Sequence, residues 1–414
     1  MSSFLSALRN NRAFKTLHYR DFRTVSVCQI FGNLGFWMDE LSRGWLIYQI
    51  TDSMVQLGLA RGIQFVPLLL FAPFAGTFAD RYSRRTLLLF AQGMSALIFA
   101  VLAALIFARV VEPWHVYVAA VCSGLMQVIQ QPARSSLVSD TVPPELLTNA
   151  IGLNSMIFNG ARLIGPALAG AIIAWWDTGG AYAVQGVSLF IATVWALKLK
   201  PMKRDPAVMA RARNEPYVQS ILKGWKHAWS HPTVRAGLLC TTVVSMFVFP
   251  FTTMLPVFAR DILNVGAGGQ GMLLGAMGAG AVVSSIMITL FGHRWTRGKV
   301  MLDASLTYGL LVTVLAFSPW YGMSLAVMVF VGLMHVHANA LVHTVVQSYS
   351  DAEYRGRSMA LFNMTQMLST AGSMVIGLLA AAIGPRGAVA AMGLTGAAGI
   401  LLLIVLMPSA RKIK

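Results

Sequence analysis

The chain has 414 residues, of which 56% are hydrophobic and only 11% are charged, and its formal net charge is +17. A soluble domain usually has about 25% charged residues, so a single aqueous core is excluded and a polytopic membrane protein is predicted. The three cysteines each lie in an apolar run, which indicates small buried side chains and excludes a disulfide framework or a metal cluster.

Twelve apolar segments are long enough to cross a membrane as helices, since about 20 apolar residues span the hydrocarbon core. The preceding N-terminal residues, 1–23, are basic and too polar for a cleavable signal peptide, so we expect the first span to direct insertion. The predicted spans are residues 24–49, 56–78, 86–108, 114–137, 147–175, 180–198, 234–258, 268–291, 299–317, 320–347, 356–382 and 386–407.

The distribution of basic residues predicts that both termini are cytoplasmic. With this topology nearly all of the 32 lysines and arginines lie in inner segments, as the positive-inside rule requires. The net positive charge therefore faces anionic lipid head groups, and nucleic acid is not an expected partner. The exceptions are Arg109, Arg260 and Arg386 in outer loops and Arg43, Arg61 and Arg162 within spans.

The longest polar segment divides the predicted spans six and six. We predict an N-terminal six-helix bundle at 1–198, a cytoplasmic linker at 199–233 and a C-terminal six-helix bundle at 234–414. Residues 217–229 of the linker combine apolar and basic residues at helical spacing, which predicts an interfacial helix; a solvated linker is the alternative. The entrances to spans five and eleven also resemble each other, and repeated halves are typical of transporters.

Span one contains the segment GNLGFWMDELSRGWLIYQ, in which Asp39, Glu40 and Arg43 interrupt an apolar run. A charge at the centre of a membrane helix costs about 2.5–3.5 kcal/mol on insertion scales. Asp39 and Arg43 lie about 40° apart on one face of a helix, so we predict that this face lines a water-accessible cavity. A static salt bridge to Arg43 is the alternative. Near the same stripe lie Gln29, Gly32 and Gly35.

Span five carries Arg162, three residues before Gly165. Its guanidinium could pair with Asp39 or Glu40, or it could attract an anionic substrate. We therefore regard Arg162 as a candidate cavity residue.

Span ten places His335, Asn339 and His343 on one helix face, whereas His337 points elsewhere. Histidine changes its charge near neutral pH, so these residues are candidates for proton transfer. Hydrogen-bonded structural histidines are the alternative.

The loop after span two reads GTFADRYSRR, in which an acid lies between a glycine and several arginines. The glycine allows close helix approach, and the charged groups could form a latch between helices; an ordinary basic inner loop is the alternative. The pattern resembles the signature loop of the major facilitator superfamily. The matching segment of the second half, GHRWTRGKV, lacks the acid. The loop residues are Gly76, Asp80, Arg81, Arg84 and Arg85.

Further stretches support this resemblance. GARLIGPALAG in span five resembles a Gly-Pro motif associated with antiporters. QQPARSSLVSDTVP, RGR at 355–357 and WLIYQITDSMVQLG resemble the branch that includes the enterobactin exporter and macrolide-efflux proteins. The resemblance implies alternating access between two six-helix bundles, a gating role for Asp80 and its arginines, and a bundle-facing helix shaped by Gly165 and Pro166. Small residues also permit tight packing there, namely Gly160, Gly165 and Gly170.

An enzyme is not expected. GHRWTRGK has five residues between its glycines where a phosphate-binding loop needs four, and Val300 replaces the required Ser or Thr. Direct ATP coupling is therefore not expected, which leaves an ion gradient as the energy source. No cofactor or metal is expected.

These features together predict an all-α, monomeric secondary transporter of the bacterial inner membrane that exports a small organic molecule by proton antiport. The resemblance favours a siderophore or a drug-like amphiphile as substrate. Asp39 or Glu40 is the predicted protonatable carboxylate, and protons and membrane lipids are further partners. An uptake carrier or lipid flippase of the same fold is one alternative, and a non-transporting receptor or scaffold is another. The predicted cavity residues are Asp39, Glu40, Arg43, Arg162, His335, Asn339 and His343.

Overall fold

The computed structural model describes residues 16–81, 83–199, 225–351 and 354–413, without the side chains at 65, 68, 69, 72–81, 132, 135 and 293. All regular secondary structure in these ranges is helical, in agreement with the predicted all-α class. This follows from the composition, because long apolar runs must satisfy their backbone hydrogen bonds internally.

The described residues of the first half of the chain form six long helices, and two of them, α3 and α6, begin after a side-chain N-cap. Ser83 precedes α3 and accepts a hydrogen bond from the backbone of Thr86, and Asp177 precedes α6 and accepts one from Gly180 at 2.7 Å. Such caps satisfy amide groups that have no partner within the helix. The helices are α1 (Arg20–Thr51), α2 (Met54–Arg81), α3 (Arg84–Phe107), α4 (Pro113–Asp140), α5 (Leu147–Trp175) and α6 (Thr178–Ala196).

The second half contains five long helical segments. Eight helices in the described part of the chain are long and apolar enough to cross a membrane. The predicted number of twelve spans and the cytoplasmic location of both termini stay predictions. The five long helical segments of the second half are α7 (Pro232–Ile262), α8 (Gly266–Phe291), α9 (Arg297–Ala316), α10 (Tyr321–Tyr349) and α11 (Arg355–Leu406).

Two of these segments are irregular. Within α7, π-helical turns at Val244–Val248 and Phe258–Ile262 flank a 3-10 stretch at Phe249–Met254. Pro250 lies in this stretch and lacks the N–H donor that a regular helix needs. Within α11, Gly384 has a φ of 79° and breaks the helix, because glycine adopts positive φ without a steric penalty.

The chain divides into two compact units. The first comprises residues 1–46 and 63–213, and the second comprises residues 47–62 and 214–414. The end of α1 and the start of α2 therefore belong with the second unit, a feature that no sequence pattern predicted. The predicted domains 1–198, 199–233 and 234–414 stay a prediction.

In the first unit, apolar residues from five helices form a continuous cluster. Phe22 and Cys28 of α1 pack there with Leu88 of α3 and Leu137 of α4. The Cys28 thiol lies 3.3 Å from the carbonyl oxygen of Ala192. Cys28 and Cys240 are buried and free, as predicted from the apolar runs around them.

In the second unit, the end of the chain packs against the start of α9. The backbone amide of Gly298 donates to the carbonyl oxygen of Ile413 at 2.9 Å. Arg411 donates to Asp303 at 3.0 Å. An apolar cluster that includes Met301 and Phe362 lies beside these contacts.

The predicted interfacial helix at 217–229 lies largely outside the described residues. Residues 225–230, which are described, are helical. Trp225 and Trp229 stack with ring centroids 5.7 Å apart, and about half of each residue's surface is exposed. These rings give the end of the linker an apolar surface.

Candidate functional site

The site begins with a buried ion pair on α1. Asp39 and Arg43 expose only 6% and 5% of their surface, and Arg43 Nη2 donates to Asp39 Oδ2. The spacing of four residues brings the two side chains together on one helix face, as the sequence predicted. Glu40 is half-buried on the flank of this face. The direct contact between Asp39 and Arg43 matches the alternative of a salt bridge.

The same carboxylate also lines a polar cavity within the first unit. The cavity has a volume of about 40 Å³, which is enough for a few water molecules. Asp39 thus takes part in the ion pair and also lines this cavity, and the prediction that its helix face borders a water-accessible cavity stays a prediction. The lining residues are Gly32, Phe36, Asp39, Gln64, Ser95, Phe99, Ser123, Gln127, Gln130 and Leu189.

Several neutral polar groups around this cavity have incomplete hydrogen bonding among the described residues. Gln92 is 2% exposed and its Oε1 has no partner, and the same is true of Nδ2 in the fully buried Asn33. Ser123 Oγ, in the cavity wall, also has none. Because an unsatisfied buried polar group costs about 1–3 kcal/mol, these groups favour water or a polar solute in the cavity.

Helix α6 contributes a residue beside the ion pair and another that bonds to the adjacent Ser42. Tyr182 is fully buried and lies within electrostatic range of Asp39 and Arg43. Gln185 donates to the hydroxyl of Ser42 at 2.9 Å. The pair is thus held in a polar pocket within the helix bundle.

Arg134 on α4 forms polar contacts with α1 that the sequence analysis missed. Its Nε donates to Gln29 Oε1 at 3.0 Å, and its Nη2 donates both to this oxygen and to Asn33 Oδ1. The sequence analysis grouped Arg134 with the arginines of the inner segments. Its position inside the predicted span 114–137 was a signal that could have identified it.

Helix α5 packs directly on α1 through Gly165. A Cβ atom at this position would lie 2.7 Å from Cβ of Trp37 and 3.2 Å from the backbone nitrogen of Met38. Only glycine fits there without movement of a neighbour. The guanidinium of Arg162 lies 5.3 Å from the centre of the Trp37 ring, which is a cation–π geometry.

The other residues predicted to shape α5 differ in their surroundings. Pro166 and Gly170 are buried, and α5 continues through the proline. A Cβ atom at Gly160 would meet nothing within 4 Å, so close packing does not require glycine there.

The predicted gating loop is described only in part. The side chains of Gly76, Asp80 and Arg81 lie outside the described residues. Arg84 forms an ion pair with Asp140 at the end of α4, and Arg85 donates to the carbonyl oxygen of Leu197 at 2.7 Å. Both contacts are inside the first unit. The gating role stays a prediction.

In the second unit, the three predicted residues of α10 lie on one face but in different surroundings. His335 is buried, with its ring 5.3 Å from Phe249 and 5.4 Å from Tyr308. His343 is exposed and packs on the edge of Phe362. Their roles in the cavity stay predictions.

Asn339 and His337 of α10 form hydrogen bonds with neighbouring helices. The amides of Asn339 and Gln366 exchange hydrogen bonds at 3.3 and 3.5 Å. His337, which the helix geometry placed on another face, lies 2.6 Å from the Ser284 hydroxyl. Among the described residues, no group of three histidine, cysteine or acidic side chains could hold a metal ion.

The second unit also contains a charged cluster where α1 ends. Arg260 donates to Asp52 at 2.5 Å and to Asp261 at 2.8 Å. Tyr48 donates its hydroxyl hydrogen to Asp261, and its ring lies 4.1 Å from the guanidinium of Arg260. Beside this cluster, a Cβ atom at Gly58 would lie 2.5 Å from the carbonyl oxygen of Ser373. Residues 47–62 therefore pack closely with α7 and α11.

Comparison with known proteins agrees with this architecture. Residues 11–413 match a family model described as transmembrane secretion effector. The staphyloferrin A transporter of Staphylococcus aureus is 24% identical over 85% of this chain and 87% of its own length. Macrolide efflux protein A of Streptococcus pyogenes is 21% identical over 80% and 81%.

A solved structure supports the fold independently. The bacterial homologue of the human lysosomal transporter Spinster has a TM-score of 0.71 and 13% identity, with 98% of each chain covered. The family resemblance predicted from the motifs, the all-helical fold and the absence of an enzyme function are confirmed. The chain belongs to the transmembrane secretion effector family of the major facilitator superfamily, and it is a multi-pass transport protein of the plasma membrane.

Proposed function

We propose that this protein exports a small organic molecule through alternating access, driven by an inward flow of protons. The observation that carries the proposal is the dual position of Asp39. It forms a buried ion pair with Arg43 and it also lines a polar cavity. A carboxylate in this position can accept a proton from water in the cavity.

The proposed coupling follows from electrostatics. Protonation of Asp39 removes its negative charge and weakens the contact with Arg43. The guanidinium is then a buried cation without its counter-charge, so an anionic or polar group of the solute can interact with it. Solute and proton thereby affect each other through one ion pair, which is the requirement for coupled transport. Glu40, half-buried on the flank, is the second candidate carboxylate.

The proposed architecture has twelve spans in two bundles, at 1–198 and 234–414, with both termini cytoplasmic. The break at Gly384 divides α11 into parts that correspond to the predicted spans 356–382 and 386–407. In this topology the cluster of Tyr48, Asp52, Arg260 and Asp261 lies at the outer ends of its helices. We propose that this cluster separates when solute leaves on the outer side.

The names of the relatives suggest the substrate class. One relative is a staphyloferrin A transporter and another is a macrolide efflux protein. A siderophore or a drug-like amphiphile is therefore the proposed substrate of this chain. The bacterial inner membrane is the proposed location, with a monomer as the transporting unit.

The experiment is an efflux assay in cells that express the protein. Accumulation of a dye, a macrolide and an iron chelator is compared with and without an uncoupler, and in Asp39→Asn and Glu40→Gln variants. Loss of the protein or of the proton gradient should raise accumulation, and at least one variant should behave as the uncoupled cells do. The matched control is Glu145→Gln, which removes an exposed acid at the start of the segment leading into α5.

Three results would contradict the proposal. Full gradient-driven efflux in both variants would exclude Asp39 and Glu40 as the coupling carboxylates. Lower accumulation in cells without the protein would indicate uptake, and accumulation that is independent of the protein for every compound would favour a lipid substrate or a scaffold role.

A further inference from the structure

The second buried arginine of the first unit differs from Arg43 in its partners. Arg134 is partly buried on α4, and the hydrogen bonds of its Nε and Nη2 atoms go to amide oxygens of Gln29 and Asn33. Gln29 is 5% exposed and Asn33 is fully buried. Arg134 is thus held by neutral groups on α1, four residues apart.

Because these partners are neutral, no negatively charged side chain among the described residues forms an ion pair with Arg134. Arg43 is paired with Asp39 and Arg84 with Asp140, but the bonds of Arg134 are to neutral acceptors. Arg134 lies about 9 Å along α4 from the helix end at Asp140. An ionisable residue at such depth is costly, and it is retained where it meets water, a counter-charge or a substrate.

The surroundings of Arg134 are continuous with the cavity. Gln130, one turn before Arg134 on α4, lines the cavity, and so does Gly32, which adjoins Asn33 on α1. Gln92 reaches the same place from α3, because a Cβ atom on Gly32 would lie 3.3 Å from its Nε2. The cavity wall thus includes a residue one helical turn from Arg134 and a residue adjacent to Asn33.

Two buried polar atoms, one on Asn33 beside Arg134 and one on Gln92 beside Gly32, also need a partner. Asn33 Nδ2 is a hydrogen-bond donor, and Gln92 Oε1 is an acceptor; neither has a partner among the described residues. Because these side chains are at least 98% buried, bulk water does not compensate for the missing bonds. A donor beside a cation fits an anionic oxygen, and the amide acceptor fits a hydroxyl or a protonated group near it.

We propose that Arg134, Gln29 and Asn33 form a carboxylate-binding subsite for the transported molecule. The subsite rests on the proposed transport function and specifies one part of the substrate. Arginine forms two parallel hydrogen bonds with a carboxylate, and here a carboxylate would replace the amide oxygens as the partner of Nε and Nη2. Asn33 Nδ2 would donate a further bond.

The spacing within α1 adds a requirement on the solute. Asn33 and Asp39 are six residues apart, which is about 9 Å along the helix. A solute with its carboxylate at Arg134 must therefore be long enough to bring another polar group near the Asp39–Arg43 pair. The subsite selects an elongated molecule with an acidic end.

The test uses the full-length protein in lipid nanodiscs and measures binding by calorimetry. The probes are citrate and its uncharged trimethyl ester. Wild-type protein should bind citrate in preference to the ester. Arg134→Gln should bind citrate about tenfold or more weakly, since it loses a charge-assisted hydrogen bond, and should bind the ester as wild type does. The matched control is Arg61→Gln, which removes an arginine from α2 and should keep citrate binding.

A purely structural role for Arg134, as a clamp between α1 and α4, gives a different result. In that case Arg134→Gln would bind both citrate and the ester more weakly, or it would bind both as the wild type does. Arg134→Lys keeps the positive charge and replaces Arg134→Gln in the test if the glutamine variant does not fold. It should bind citrate more weakly than the wild type, because an ammonium group cannot form the two parallel hydrogen bonds.

Three results would overturn the subsite: equal binding of citrate and ester by wild type, unchanged citrate binding by both Arg134 variants, or the same loss in Arg61→Gln. The binding assay needs no transport. If citrate binding contradicts the subsite, the export proposal is still tested separately by the efflux assay. If the efflux assay contradicts export, the citrate-binding result still holds.

Discussion

The interiors of the two units differ in the kind of polar group that they contain. The first unit contains an ion pair, an arginine held by amides and a cavity with several glutamines. In the second unit, Asn339 of α10 bonds to the neutral Gln366 of α11, and the ring of His335 contacts that of Tyr308. The buried ion pair beside a cavity is thus a feature of the first unit, whereas the charged cluster of Asp52, Arg260 and Asp261 in the second unit is largely exposed. We expect coupling and recognition to depend most on the buried pair.

The largest expected effect on stability comes from breaking the buried ion pair. Arg43→Gln leaves Asp39 as a buried charge without its partner, which should lower the free energy of unfolding by about 3–5 kcal/mol. The double variant Asp39→Asn/Arg43→Gln should lose less, because neither charge then remains unpaired. Chemical denaturation of the wild type and the two variants in the same detergent measures the difference. A double variant that is less stable than Arg43→Gln would contradict this account of the pair.

The next largest effect should follow from a methyl group at Gly165. The added Cβ atom would lie 2.7 Å from Trp37, so Gly165→Ala should cost about 1–3 kcal/mol through overpacking. Gly160→Ala is the matched control, since its Cβ atom meets nothing within 4 Å and alanine favours a helix. Thermal unfolding should separate the two variants. Equal midpoints would show that α5 does not pack on α1 in this way.

A smaller effect is expected from the amide pair of the second unit. Asn339→Ala removes its hydrogen bonds with Gln366, at a cost of about 0.5–1.5 kcal/mol. If this pair is only structural, the efflux of Asn339→Ala should keep its full dependence on the proton gradient. Loss of that dependence with stability intact would place a coupling residue in the second unit and would break the contrast between the units.

The smallest effect on stability should come from the ion pair between Arg260 and Asp52. Its side chains are 33% and 74% exposed, and exposed pairs contribute about 0.2–1 kcal/mol because solvent screens them. A double-mutant cycle of Asp52→Asn and Arg260→Gln measures the coupling. A coupling energy well above this range would indicate that the cluster is shielded from water and is a stronger contact than its exposure suggests.

The sequence predicted the features that depend on local periodicity. The spacing of Asp39 and Arg43 was sufficient to place both on one helix face, and the pattern around Gly384 was sufficient to separate two apolar runs. The motif of Asp80 and its arginines was sufficient to identify the superfamily. These predictions needed only the helix repeat and the composition of short segments.

The sequence did not predict features that depend on contacts between distant segments. Arg134 and Gln29 are 105 residues apart, and nothing in either segment specifies the other. The same holds for residues 47–62, whose membership of the second unit follows from contacts with α7 and α11. The different surroundings of His335 and His343 were also hidden, because helix periodicity gives a direction and not the neighbour found there.

The irregular hydrogen bonding of α7 has a mechanical consequence. A 3-10 stretch is longer per residue than an α-helix and a π turn is wider, so a helix that contains both can exchange one for the other and change its length or rotate its ends without unfolding. In α7 these stretches lie between Val244 and Ile262, and the second π turn contains Arg260 and Asp261. A change in length or rotation of α7 would thus move the charged cluster at Arg260 and Asp261 without breaking the helix.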